Sequence, residues 1–171
     1  MSVLTMARRR VAFEVFGIAQ AKGNARAFVP KSWATKAAAE GKAPRAVVTL
    51  DHAKSKGWEQ LVKEQAQTVA AGGVFIGPVV LTVTFRLPRP QSLPKRCLHH
   101  TKKPDVDKLV RATNDALTGV LYIDDSQIVD LHARKCYAAI GATPSAHITV
   151  EEACDPDPAQ LDLVGTPSLF S

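Results

Sequence analysis

The stretch that decides the reading is Lys102–Lys135, KKPDVDKLVRATNDALTGVLYIDDSQIVDLHARK. Val106, Leu109, Val110, Thr113 and Leu117 recur within it at helical spacing. A helix is therefore expected to begin near Asp105 or Asp107 and to end at Gly119. Aspartate suits such a start, because the first-turn amides lack partners and the helix dipole is positive there. After the pair Asp124-Asp125, residues Gln127 to Ile140 read as a strand, and Ala146 to Val150 as another.

Working outward, Pro78–Leu87 (PVVLTVTFRL) is rich in β-branched residues and places Val79, Leu81, Val83 and Phe85 on one face, the pattern of a strand. Pro88, Pro90 and Pro94 then impose a loop that runs to Lys103. Upstream, Trp58, Leu61, Val62, Ala66 and Val69 mark an amphipathic helix from about Lys54 to Ala71, stopped by Gly72-Gly73. Val47, Val48 and Leu50 suggest a short strand, and Val11–Ile18 another. Between them, Gly23, Pro30, Gly41 and Pro44 argue against long regular structure from Ala19 to Arg45. The expected fold is α+β. It has a mixed sheet of about five strands with two helices, in the order β-β-α-β-α-β-β. It would occupy residues 1–150 as one domain, with residues 151–171 as an acidic, flexible tail.

The charge is unevenly distributed. The chain carries 22 Lys+Arg against 16 Asp+Glu, a net of +6. Five of the acids and none of the bases lie in the last 21 residues, so residues 1–150 hold 22 bases against 11 acids. A body this basic suits a polyanion, and nucleic acid is the commonest. Cys97, Cys136 and Cys154 are odd in number and form no CxxC pair, which argues against a disulfide framework or a zinc site and fits a reducing cytoplasm. No apolar run approaches the roughly 18 residues needed to span a bilayer, so no membrane role is expected.

The chemistry concentrates in the opening segment. Asp105 and Asp107 stand two apart at a helix start, while Asp124 and Asp125 precede the next strand. Taken singly, the first pair reads as caps and the second as a turn. Where helix and strand pack side by side, the two acidic points converge, and converging carboxylates need a cation or protons between them. An all-oxygen site is hard and suits Mg²⁺ or Mn²⁺ better than Zn²⁺. Lys102, Lys103, Lys108, Arg111, Arg134 and Lys135 flank the acids. Carboxylates that hold metal beside cations that hold phosphate are what a phosphodiesterase needs.

The same segment resembles the RusA family of Holliday-junction resolvases, which are common in phages and prophages. The shared anchors are the aspartate pair in PDVDKL (Asp105, Asp107), the run Asp115–Gly119 (DALTG), Asp124–Ile128 (DDSQI) and a downstream Lys135. Several anchors in order are far more specific than any one of them. The resemblance runs from about Val79 to Val150 and is looser upstream. It implies a RusA-like fold and a homodimer that cuts branched DNA, resolving four-way junctions by paired nicks in recombination and repair. Mg²⁺ is the implied cofactor, with Mn²⁺ able to substitute, and the setting is the cytoplasm of a bacterial or phage-infected cell. Metal binding falls on Asp105, Asp107 and Asp125, with Asp124 the alternative at the last position.

Two positions depart from the pattern. Lys108 stands where the family commonly has Asn, and Arg111 where it commonly has a functional Lys. Arginine keeps the charge and grips phosphate in two places but is a poor proton donor, so Arg111 is expected to act catalytically by stabilising charge. The loop and segment cations Arg89, Lys95, Arg96, Lys102, Lys103, Lys108 and Lys135 are the expected DNA contacts. Asp115, one turn after Arg111, is expected to make an i,i+4 ion pair or a helix-end contact and not to bind metal. Trp33 is read either as a base-stacking platform or as packing under its loop, and Trp58 as core. Two other functions remain open: a less selective branched-DNA or flap nuclease, and a DNA-binding protein that has lost its metal.

Overall fold

The computed structural model describes residues 8–23, 25–43, 47–50 and 53–154. In chain order the elements are β1 (Arg10–Phe16), β2 (Ala25–Phe28), α1 (Lys31–Ala39), β3 (Val47–Leu50), α2 (Ala53–Val69), β4 (Val79–Leu87), α3 (Val106–Leu117), β5 (Ile128–Tyr137) and β6 (Ser145–Glu152). Single 3-10 turns occupy Ala70–Gly72 and Asp125–Gln127. Strands β1, β6, β4 and β5 form a sheet in that order, and β2 and β3 form a separate antiparallel pair.

The sheet is mixed. β6 pairs antiparallel with both β1 and β4, whereas β4 and β5 are parallel, with Phe85 opposite Lys135 and Leu87 opposite Tyr137. Parallel neighbours need a crossover, and α3 lies within the β4–β5 connection. Alternation along β4 buries Val79, Leu81, Val83, Phe85 and Leu87 on one face. The helices cover that face. α2 contributes Trp58, Val62 and Ala66 to the core, and α3 contributes Leu109, Val110, Ala112, Ala116 and Leu117. Thr113 is also fully buried, its hydroxyl donating to the Leu109 carbonyl at 3.0 Å.

The α+β class and the elements around the site are as expected, but the N-terminal half differs in detail. The five expected strands do not share one sheet, and Ala19–Arg45, where no long element was expected, holds two short ones, β2 and α1. The glycines and prolines there bracket short elements instead of excluding them. Pro30 directly precedes α1, where its missing N–H costs nothing, and its carbonyl accepts from the Trp33 amide. Gly41, at φ +65°, follows the alanine-rich helix and turns the chain. Leu61, counted with the apolar face of α2, is partly exposed, while Trp58 is core. The expected domain boundary at 150 falls inside β6, and the tail from Asp155 onward lies outside the described residues.

Candidate functional site

Asp105 occupies the N-cap position of α3, yet its side chain makes no capping hydrogen bond. Its carboxylate turns to Lys108, 3.0 Å away at i,i+3. That contact holds the Asp105 carboxyl below the usual carboxylate range, with weaker contributions from Lys135 and Lys103. Asp107, in the first turn, is exposed.

The second acidic point is built by a reciprocal cap. Asp124 accepts from the Ser126 amide at 3.0 Å, and the Gln127 side-chain oxygen accepts from the amides of Ile123 and Asp124 at 2.7 and 3.0 Å. The Gln127 amide nitrogen donates in turn to the carbonyls of Phe75 and Gly77, at 3.0 and 2.8 Å. One glutamine thus ties the DDSQ turn to the strand-entry segment before β4. Asp124 is committed to the backbone, and its hydrogen bond with Ser126 holds its carboxyl below the usual range. Asp125, one residue on, has no such partner among the described residues and stays exposed. Burial, and next the charge of Asp125, push the Tyr122 hydroxyl well above its ordinary pKa, which puts Asp125 in the neighbourhood of that ring.

One aspartate from each acidic point, Asp107 and Asp125, lines a cleft of about 400 Å³ together with Val106, Val110, Arg111, Asn114, Leu131 and Ala133. Asp107, Arg111 and Asn114 come from one face of α3, and Leu131 and Ala133 from the face of β5 beneath it. Asp115 pairs with Lys22 from the segment after β1, so the i,i+4 pair with Arg111, one of the two expected contacts, does not form. The Lys22 amide also donates to the Lys108 carbonyl at 3.1 Å, fixing that segment on α3. With Asp115 taken elsewhere, Arg111 forms no ion pair with any described residue.

Asn114 was not singled out from sequence, because an asparagine mid-helix carries no pattern of its own. Its side-chain oxygen is buried without a hydrogen-bond partner. Such an orphan acceptor costs about 1–3 kcal/mol unless something donates to it or a cation approaches. Gln127 was legible only as part of a motif, not as the residue that builds the turn.

The donors suit a hard divalent cation. Asp107 and Asp125 line one cleft with Asn114, whose side-chain oxygen is buried and unpartnered, and Mg²⁺ typically takes one or two protein carboxylates and completes its sphere with water and substrate phosphate. Among the described residues, no three His, Cys, Asp or Glu side chains are grouped as a ligand cluster. Asp105 stands apart on Lys108.

The expected DNA contacts divide in two. Lys95, Arg96, Lys102 and Lys103 are exposed. Arg89, Lys108 and Lys135 are half-buried and engaged within the chain. Arg89 donates to the carbonyls of Cys97, Pro94 and Lys95 at 3.0, 2.7 and 3.1 Å, pinning its own loop. Lys135 donates to the carbonyls of Lys102 and Pro104. Trp33 is 52% exposed on α1, so it does not pack under a loop.

An α+β fold in which a helix and the turn before the adjoining strand bring carboxylates to one cleft, beside a guanidinium with no ion pair among the described residues, has the chemistry of a phosphodiester-acting protein. Residues 27–151 match the family model described as Endodeoxyribonuclease RusA, and the chain belongs to that family. It is also similar to the uncharacterised protein YqaN of Bacillus subtilis (strain 168), at 38% identity over 98 residues, 52% of this chain and 69% of the relative. No helix among the described residues is long and apolar enough to cross a membrane.

Proposed function

We propose that the protein is a divalent-metal-dependent endonuclease that resolves four-way DNA junctions by paired nicks, acting as a homodimer in recombination or repair. The observation that carries this reading is the convergence of Asp107, Asp125 and Arg111 on one cleft in a chain of this family. Asp107 and Asp125 would hold Mg²⁺ or Mn²⁺, with Asn114 beside them and Asp105 joining by leaving Lys108. Once bound, the cation supplies Lewis acidity toward the scissile phosphodiester and lowers the pKa of an attacking water.

The chain's own residues do the rest. Arg111 lines the cleft with no ion-pair partner among the described residues, so its guanidinium is available for phosphate oxygens. Lys95, Arg96, Lys102 and Lys103 extend outward and position the duplex arms through the phosphate backbone. None of these contacts reads sequence, which favours recognition of a branched shape. The exposed Trp33, on a helix carrying Lys31 and Lys36, suits stacking on a base unpaired at the branch point.

The test is incubation of the purified protein with synthetic four-way, three-way and linear DNA, with Mg²⁺ or with EDTA. Symmetric Mg²⁺-dependent nicks confined to the four-way junction support the proposal. Equal cutting of forks and flaps points to the less selective nuclease, and binding without any cleavage to a DNA-binding protein.

A further inference from the structure

Leu131, Ala133 and Lys135 alternate along β5 and therefore share a face of the sheet. Leu131 and Ala133 line the cleft beneath α3. Lys135, next in that row, lies opposite the buried Phe85 and is half-buried itself. Its ammonium does not turn outward toward a phosphate. It donates to the Lys102 carbonyl at 2.7 Å and to the Pro104 carbonyl at 2.6 Å. Those carbonyls belong to the short segment that delivers Asp105 and then Asp107 to the start of α3. An ammonium has three donors, and two are spent on this backbone.

We propose that Lys135 is a positioning residue. It clamps the Lys102–Pro104 segment against β5, and so fixes where Asp105 and Asp107 stand relative to Asp125. The inference rests on the reading of these aspartates as the reacting site. Without the clamp, the segment entering α3 is tied to β5 by neither of these bonds, and an ångström of drift at a reacting site lowers a rate by about a hundredfold. The role differs from that of the exposed Lys103, whose charge is available to DNA.

The two roles separate in one set of measurements on the full chain. Lys135→Met, Lys135→Arg, Lys103→Met and Asp107→Asn are compared with the parent. The readouts are junction affinity without divalent metal as a function of salt, Mn²⁺ affinity by calorimetry without DNA, and single-turnover cleavage at saturating protein. For Lys135→Met the expected result is unchanged junction affinity and salt slope, weaker Mn²⁺ binding, and a rate lower by about a hundredfold. Lys135→Arg, which still reaches two carbonyls, recovers most of both losses. Lys103→Met instead lowers the salt slope by about 0.9. The proposal is overturned if Lys135→Met loses salt slope as Lys103→Met does, or if it binds Mn²⁺ and cleaves like the parent while Asp107→Asn does neither. Parent-like Mn²⁺ binding and cleavage by Asp107→Asn would overturn the site reading itself, and the Lys135 proposal with it. Should Lys135→Met not fold, Lys135→Arg decides through the same three readouts.

Discussion

Asp105 and Lys108 form an ion pair of 3.0 Å across the first turn of α3, at the position where the aspartate would otherwise cap the helix. A carboxylate already holding a cation is a poorer ligand for a second one. Replacing Lys108 with Asn frees Asp105. Exposed pairs of this kind contribute little, so the Mg²⁺ concentration for half-maximal cleavage should fall by no more than about fivefold. A Mg²⁺ titration of Lys108→Asn checks this. A requirement that rises would show that Lys108 assists the metal instead of competing with it.

Asp124 and Asp125 should part company on substitution. Asp124→Ala loses the acceptor for the Ser126 amide and is expected to lower the denaturation midpoint, with Asp124→Asn restoring most of it. Asp125→Asn removes no described hydrogen bond and should unfold like the parent, yet abolish cleavage. Denaturant melts paired with junction cleavage separate the two. Parent-like cleavage by Asp125→Asn, with loss in Asp124→Asn, would reverse the assignment.

Arg111 is expected to act through charge. Arg111→Lys should keep much of the single-turnover rate, and Arg111→Ala should lose about a hundredfold, the scale for removing one donor to a developing charge. If the alanine variant cleaves as fast as the parent, Arg111 has no part in the reaction.

His100 provides a pH signature next to Lys135. Burial first, and then the charge of Lys135, lower its pKa from the usual 6.5, while its ring tilts against Tyr137 with centroids 4.6 Å apart. The unfolded chain therefore takes up this proton before the folded one does. The stabilising contribution is complete above pH 6.5 and is lost as the pH falls from there through the folded-state pKa. Titration of the His100 ring by NMR should place its midpoint below 6.5, and Lys135→Met should move it up. A midpoint at or above 6.5 in the parent contradicts the described surroundings.

The inward cations give a further contrast. Neutralising Lys95, Arg96, Lys102 or Lys103 should each lower the salt slope of junction binding by about 0.9. Arg89→Met should leave the slope alone and loosen the loop that Arg89 holds through three carbonyls. Salt titrations of binding distinguish the two groups.

Helix α3 and strand β4 were legible because their apolar periods are properties of the chain itself. Helix α1 was not, because Pro30 and Gly41 look the same in a sequence whether they bracket an element or break one. The aspartates were legible as two acidic points flanked by bases. Spacing alone did not tell which member of the 124–125 pair lines the cleft, because the Ser126 amide and the Gln127 side chain decide it; the resemblance favoured Asp125. Likewise, a lysine that grips DNA and one that grips its own backbone carry the same letter. Only the fold turns Lys135 onto Lys102 and Pro104 and leaves Lys103 outward.

The most direct test of the account is single-turnover cleavage of a four-way junction in Mg²⁺ by the parent and by Asp107→Asn, with junction binding measured alongside. The account predicts paired symmetric nicks by the parent. It predicts near-parent binding and at least about a thousandfold slower cleavage by Asp107→Asn, as expected when a group acting in the transition state is removed. Equal cleavage by the two proteins would contradict it.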